Sequence, residues 1–220
     1  MTQMSISNNS LFISFEGIDG CGKSTQVKML MNRFESDGID SLLVREPGGT
    51  RISEEIREVL LKNRNENMAE RTEALLMTAS RAQLTHDVII PSLDSGLIVI
   101  ADRFKDSTLA YQGGGRGLDI NYLVQLNDFA TFEIDPDITF FIDVTANEGY
   151  KRRNSNHPDR IEGAGKIFQE KVREQYLKLA HIYSDRFIVL DGENTPEEIH
   201  QIILLQIKKY KKNDKKKKKY

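Results

Sequence analysis

A chain of 220 residues, 39% hydrophobic and 29% charged, fits one ordinary domain that can bury a core without disulfides or structural metal. With no apolar run near the roughly 18–20 residues of a membrane span, a soluble protein is expected rather than a membrane one. The net charge of −2 conceals an asymmetry, because Lys208 to Tyr220 holds nine lysines and one aspartate and leaves 22 basic against 32 acidic residues elsewhere; such an acidic body argues against a general nucleic-acid binder.

Taken in chain order, residues 1–10 (MTQMSISNNS) are polar and lack the basic start and apolar stretch of a secretory signal, which predicts a disordered lead-in and a cytoplasmic location. Leu11 to Glu16 (LFISFE) is a β-rich run. A glycine loop follows, then Val27, Leu30, Met31 and Phe34 at the spacing of an amphipathic helix, with Gly38 suited to end it in a left-handed cap. Further runs at Leu42 to Val44, Leu97 to Ala101, Ile138 to Asp143 and Phe187 to Leu190 read as buried strands separated by helical patterns. Thr195, Pro196 and Glu198 fit the N-cap, N1 and N3 positions of a last helix with Ile199, Ile203 and Ile207 as its buried stripe. The pattern predicts an α/β fold: one domain over residues 11–207, a mainly parallel sheet of about five strands, and helices on both faces. Residues 208–220 read as a disordered lysine-rich tail.

Between the first strand and first helix, Gly17, Ile18, Asp19, Gly20, Cys21, Gly22, Lys23 and Ser24 match the phosphate-loop pattern G-x-x-x-x-G-K-[ST]. The glycines let successive N–H groups curl round phosphate oxygens, and the helix N-terminus adds its positive end. Lys23 is expected to reach the β- and γ-phosphates of ATP, and the Ser24 hydroxyl to join Mg²⁺ coordination. Cys21, the only cysteine, has no partner for an internal bridge and reads as a small filler in this loop. Such a loop does not say what is done to the nucleotide. The guanine-reading N-K-x-D segment of GTPases does not occur, which points to the small nucleotide and metabolite kinases. These need a second phosphate site and arginines. The strand Leu97 to Ala101 delivers Asp102, Arg103 and Phe104 at its C-terminal end, where Asp102 can hold Mg²⁺ through water and Arg103 can grip an acceptor phosphate, a surface ion pair being the alternative.

The segments FEGIDGCGKST (Phe15 to Thr25), REPGGT (Arg45 to Thr50), ASRAQ (Ala79 to Gln83), DRFKDSTLAYQGGGRG (Asp102 to Gly117) and DRIE (Asp159 to Glu162) resemble, in order and spacing, the signatures of bacterial thymidylate kinases. The resemblance covers about Leu11 to Gln206. It implies transfer of the γ-phosphoryl of ATP to thymidine monophosphate, a homodimer built by helix packing, and a place in the supply of thymidine triphosphate. By the same resemblance Asp19 binds the 3′-hydroxyl of the acceptor, Arg45 and Arg103 surround its 5′-phosphate, Arg81 bonds the thymine O4 edge with Thr108 and Gln112 nearby, and Tyr111 crowds the sugar C2′ position. For Thr108 and Gln112 a helix surface or local capping role stays open. Where the family commonly stacks a phenylalanine on thymine, this chain has Met77, a polarizable packer that can also be plain core.

Residues 150–165 (YKRRNSNHPDRIEGAG) are basic, polar and glycine-bounded, and look like a mobile lid. Members of the resembled family place a catalytic arginine either in the phosphate loop or in the lid. Since Asp19, Gly20 and Cys21 include none, the lid is expected to supply it from Arg152, Arg153 or Arg160, with Arg153 first and Arg160 next; a solvated basic loop is the alternative. Rival readings are a kinase for another nucleoside or deoxynucleoside monophosphate and a non-catalytic ATP-binding protein.

Overall fold

The computed structural model describes residues 10–63, 66–153 and 159–217. Five parallel strands, β1 (Leu11–Glu16), β2 (Ser41–Arg45), β3 (Ile98–Asp102), β4 (Ile138–Asp143) and β5 (Phe187–Asp191), form one sheet in the order β2-β3-β1-β4-β5. β1 is buried along its whole length, as a central parallel strand covered on both sides must be. Leu11, Ile13 and Phe15 pack with Val27, Leu30 and Phe34 of α1 (Lys23–Ser36) and with Ile203 and Ile207 of α9 (Pro196–Lys217). Phe12 instead joins a second cluster with Leu84, Ile89 and Leu93. Alternate residues of one strand thus feed two apolar layers, one on each side of the sheet.

The chain leaves β1 toward one side of the sheet and later returns to the other, so the order reverses at β1. In such sheets the crevice opens beyond the C-terminal strand ends at the reversal. Register brings Phe15 and Arg45 level with Asp102, so the loops after β1, β2 and β3 emerge at one edge.

The other helices are α2 (Arg51–Leu61), α3 (Glu70–Leu84), α4 (Ile90–Asp94), α5 (Lys105–Thr108), α6 (Ile120–Thr131), α7 (Ala146–Arg152) and α8 (Lys166–Ile182). Two π-helical stretches lie among them: Thr85–Ile89 joins α3 to α4, and Leu109–Gly115 continues α5. Such turns are frequent at functional sites.

Beyond shifts of one residue at strand ends, three stretches differ from those predicted. The last helix continues to Lys217 where a disordered tail is expected from 208, because lysine is a good helix former and Tyr210 is anchored, donating its hydroxyl to Asp137 Oδ1 at 2.7 Å. Tyr150, Lys151 and Arg152, assigned to the lid, form the last turn of α7, a helix started by the Thr145 side chain accepting from Glu148 N–H at 3.2 Å. Residues 162–164 of the same stretch form a 3₁₀ turn before α8. The middle of the predicted lid, 154–158, nearly all of the lead-in, and residues 218–220 lie outside the described residues. No helix among the described residues is long and apolar enough to cross a membrane.

Candidate active site

The phosphate loop runs from the end of β1 to Gly22, which opens α1 in a left-handed conformation, φ 102°. The loop lies close against α7. A Cβ on Gly149 of that helix would sit 2.7 Å from the Asp19 carbonyl oxygen, and one on Gly20 would collide with the Gly149 backbone. Lys23 is buried and donates to the carbonyl oxygens of Gly17 and Ile18 at 3.0 and 3.1 Å, so its ammonium lies in the concave side of the loop. Cys21 is buried, as a filler should be.

Ser24 Oγ donates to Asp102 Oδ2 at 3.2 Å, bringing together the two residues predicted to share a metal. Two hard oxygens, one hydroxyl and one carboxylate, suit Mg²⁺, which is commonly held by one or two protein oxygens together with substrate phosphates.

Arg103 turns toward the loop. Its guanidinium donates to Gly17 O at 2.9 Å, to Tyr111 Oη at 2.9 Å and to Asp19 Oδ1 at 2.5 Å, and it lies 4.8 Å from the Tyr111 ring centre. Its partner is therefore Asp19 and not a surface acid. Burial alone raises the Asp19 carboxyl, but Arg103, Lys23, the Gln169 amide and Arg153 outweigh it and hold the group below its ordinary value, so Asp19 is an anionic acceptor at neutral pH. Gln169 of α8 donates to Asp19 Oδ2 at 3.0 Å while its own Oε1 is buried without a partner among the described residues. It stands outside the predicted set. A glutamine inside an amphipathic helix carries no local signal.

One cleft of about 730 Å³ joins the loop to the predicted acceptor pocket. Met77, Arg81, Thr108, Tyr111 and Gln112 line it together with Lys23, Ser24 and Asp102, and with Arg152, Asn194 and Ile199. Thr108, Tyr111 and Gln112 are buried, which removes the helix-surface alternative for Thr108 and Gln112. Met77 lines the cleft and packs on the main core.

Arg81 is 2% exposed and heavily engaged. Its donors reach Glu46 Oε2 (2.7 Å), Thr108 Oγ1 (2.7 Å), Asn127 Oδ1 (2.7 Å) and the Phe104 carbonyl oxygen (3.1 Å), tying β2, α5 and α6 together at the pocket wall. Gln112 donates to Glu73 Oε1 at 2.9 Å. Arg45 is half-exposed and paired with Glu54 at 2.9 Å. Arg57, absent from the predicted set, also lines the cleft and donates to the Pro47 carbonyl at 2.8 Å. Its signal, one arginine in an amphipathic helix, is indistinguishable from a surface charge.

The lid arginines separate. Arg153 lies beside the loop: a Cβ on Gly20 would be 3.1 Å from its Cγ, it donates to the Glu162 carbonyl at 3.0 Å, and its guanidinium rests 5.3 Å from the Tyr150 ring centre. Arg152 lines the cleft and donates to the Gly192 carbonyl at 2.8 Å. Arg160 does not join them. It donates to Glu73 Oε2 at 2.6 Å and to the Leu60 carbonyl at 2.8 Å, because the buried Glu73 carboxylate gathers Gln112, Arg116 and Arg160.

Comparison with known proteins agrees with this geometry. The family model described as thymidylate kinase matches residues 15–203. The thymidylate kinase of Fervidobacterium nodosum is 52% identical over 194 residues, 88% of this chain and 96% of that protein. Those of Caldanaerobacter subterraneus subsp. tengcongensis and Thermosipho africanus are 46% and 49% identical, the alignments spanning 93% and 88% of this chain and 98% and 97% of those proteins. With a family-model match over most of its length and nearly full-length similarity to these enzymes, the chain belongs to the thymidylate kinase family.

Proposed function

We propose that the chain transfers the γ-phosphoryl group of ATP to dTMP, giving dTDP and ADP, with Arg103 holding the acceptor phosphate and Arg153 acting as the catalytic arginine. The observation that carries this reading is the Arg103 guanidinium, 2.9 Å from the Gly17 carbonyl, inside the same cleft as Lys23. Two anions bound there lie end to end. In-line transfer then needs positioning and charge neutralisation, with no covalent intermediate and no protein base, because the acceptor phosphate is already anionic.

Lys23 and the loop amides take the β- and γ-phosphates. Arg153, next to Gly20, supplies positive charge to the equatorial oxygens. Arg45 and Arg57 add charge on the acceptor side. Asp19, purely an acceptor in its ionised form, accepts a hydrogen bond from the 3′-hydroxyl, and Tyr111, bonded to Asp19 and Arg103, crowds C2′. Arg81 reaches thymine O4 by giving up its longest bond, to the Phe104 carbonyl, with Thr108 and Gln112 completing the wall and Met77 packing on the base. Ser24 and Asp102 would hold Mg²⁺, directly and through water; when bound, the ion neutralises charge on the phosphate oxygens.

The protein works as a cytoplasmic homodimer in the supply of dTTP. Leu75 on α3 and Tyr122 and Phe129 on α6 are 57%, 74% and 84% exposed, an apolar face that supports helix packing against a second copy. A coupled assay with ATP, Mg²⁺ and each monophosphate tests the activity. Preferred turnover of dTMP is expected; comparable turnover of uridine, cytidine and thymidine monophosphates would overturn the substrate assignment, and no turnover of any would leave an ATP-binding protein.

A further inference from the structure

Glu16, the last residue of β1, is fully buried, and a carboxyl there is tolerable only if its oxygens are bonded. It gathers donors from three later parts of the chain. Oε1 accepts the Phe104 N–H at 2.8 Å, while Oε2 accepts the hydroxyls of Ser107 in α5 and Tyr176 in α8, both at 2.7 Å.

The Phe104 bond matters because of the residue before it. Arg103 has φ 73°, a left-handed conformation that a non-glycine side chain keeps only when its surroundings over-determine it. Its own N–H donates to the Phe15 carbonyl at 3.0 Å, and the next N–H donates to Glu16. Two consecutive amides of the turn are therefore pinned by two consecutive residues of β1, the strand that runs directly into the phosphate loop. Ser107, held by Glu16, also lies 3.4 Å from Arg103 Nη1. In this conformation the Arg103 side chain leaves the turn toward Gly17, Asp19 and Tyr111.

We propose that Glu16 is a positioning residue for phosphoryl transfer: it clamps the Arg103–Phe104 turn to the strand feeding the phosphate loop and so fixes the separation of the acceptor-phosphate arginine from the donor-phosphate nest. The proposal rests on the reading of Arg103 as the acceptor-phosphate ligand. The side-chain chemistry fits. Glutamine keeps one oxygen for Phe104 and turns its amide toward two hydroxyls that can rotate to accept, whereas alanine leaves the Phe104 N–H buried and unpaired.

The test is a set of steady-state measurements on Glu16→Ala, Glu16→Gln, Arg103→Ala and the Glu16→Ala/Arg103→Ala pair. Glu16→Ala is expected to raise the KM for dTMP by about tenfold or more while the KM for ATP stays within about twofold, as loss of the Phe104 bond, the one of its three that clamps the Arg103 turn, should. Glu16→Gln should recover most of that loss. In the Arg103→Ala background Glu16→Ala should add less than about twofold, since a residue acting through Arg103 has nothing left to position. Should Glu16→Ala fail to fold, Glu16→Asp, which withdraws the carboxylate from Phe104 by one methylene, takes its place. An unchanged dTMP KM in Arg103→Ala would refute the Arg103 reading and the proposal with it. A raised KM there, with the Glu16 effect multiplying in full or falling equally on ATP, would leave Arg103 standing and overturn the role given to Glu16.

Discussion

Arg153 and Arg160 come from one basic stretch of sequence and end in different environments, one beside Gly20 and the other on Glu73. Arg153→Ala should therefore lower turnover by roughly 10³ or more, the scale of arginines that neutralise a transferring phosphoryl group, with the KM for ATP little changed. Arg160→Ala should act on folding, costing about 1–3 kcal/mol for the bond it gives to buried Glu73, and lower turnover less than tenfold. Equal kinetic losses in the two variants would reverse this assignment. Met77 decides a smaller matter. Placing a ring at that position by Met77→Phe should lower the KM for dTMP about two- to fivefold, given ring-stacking gains of roughly 0.5–1.5 kcal/mol. A raised KM would show that core packing governs the site. The sequence ranks Arg153 ahead of Arg160 without placing either, because which cation meets the loop depends on where a turn places it, not on its neighbours in the chain.

Between elements, the contact of α7 with the phosphate loop depends on the lack of a side chain at Gly149. Alanine in a helix interior is ordinarily favoured over glycine by about 1 kcal/mol. Here its Cβ would meet the Asp19 carbonyl at 2.7 Å, and relieving such overlap costs about 1–3 kcal/mol. Gly149→Ala should thus lower the melting temperature by a few degrees and weaken ATP binding through displacement of the loop; a higher melting temperature with unchanged ATP affinity would show that α7 yields freely. Glu73 links α3, the π-helical stretch Leu109–Gly115 and Arg160 of the lid. Burial pushes its carboxyl upward, but Arg116, Gln112 and Arg160 outweigh that and hold it below the ordinary value. A depressed folded-state value means that the unfolded chain binds the proton more readily, so this stabilisation is present above about pH 4.5 and fades as pH falls through the lower folded value. Glu73→Gln should flatten the acid limb of a stability profile while leaving other parts of its shape intact. An identical acid limb in the variant would rule out Glu73 as its source.

On the scale of the whole molecule, two features set how the folded body behaves. Glu16 titrates in the opposite sense from Glu73: burial first and Asp106 second push it up to about 7, against bonds from Ser107 and Tyr176 and the charge of Arg103. A raised folded-state value makes its contribution greatest at low pH and diminishing as pH rises from about 4.5 toward 7. The exposed face of α3 and α6 is the other. Phe129→Glu places a charge at its most exposed ring and should convert a dimer to a monomer in light scattering, with the stability of the subunit itself changed by no more than about 0.5 kcal/mol. A variant that stays dimeric would exclude this face.

Local chemistry was enough to read the five strand positions, the phosphate loop and the capping box at Thr195, since each depends on residues a few places apart. Leu11 to Glu16 is apolar throughout because both of its faces are covered, and the Gly17 to Ser24 pattern permits only a loop of close-packed amides. The residues expected at the acceptor site come from the family pattern, and most of them line one cleft. The remainder came from the tertiary arrangement alone. Arg57, Gln169 and Glu16 sit in ordinary helix or strand sequence, and only the approach of segments distant in the chain gives them partners. The diverging lid arginines and the continuation of the last helix past Ile207 have the same origin. A carboxylate, an amide or a tyrosine hydroxyl acts on what lies within about 3 Å of it, and that distance is fixed by folding rather than by spacing along the chain.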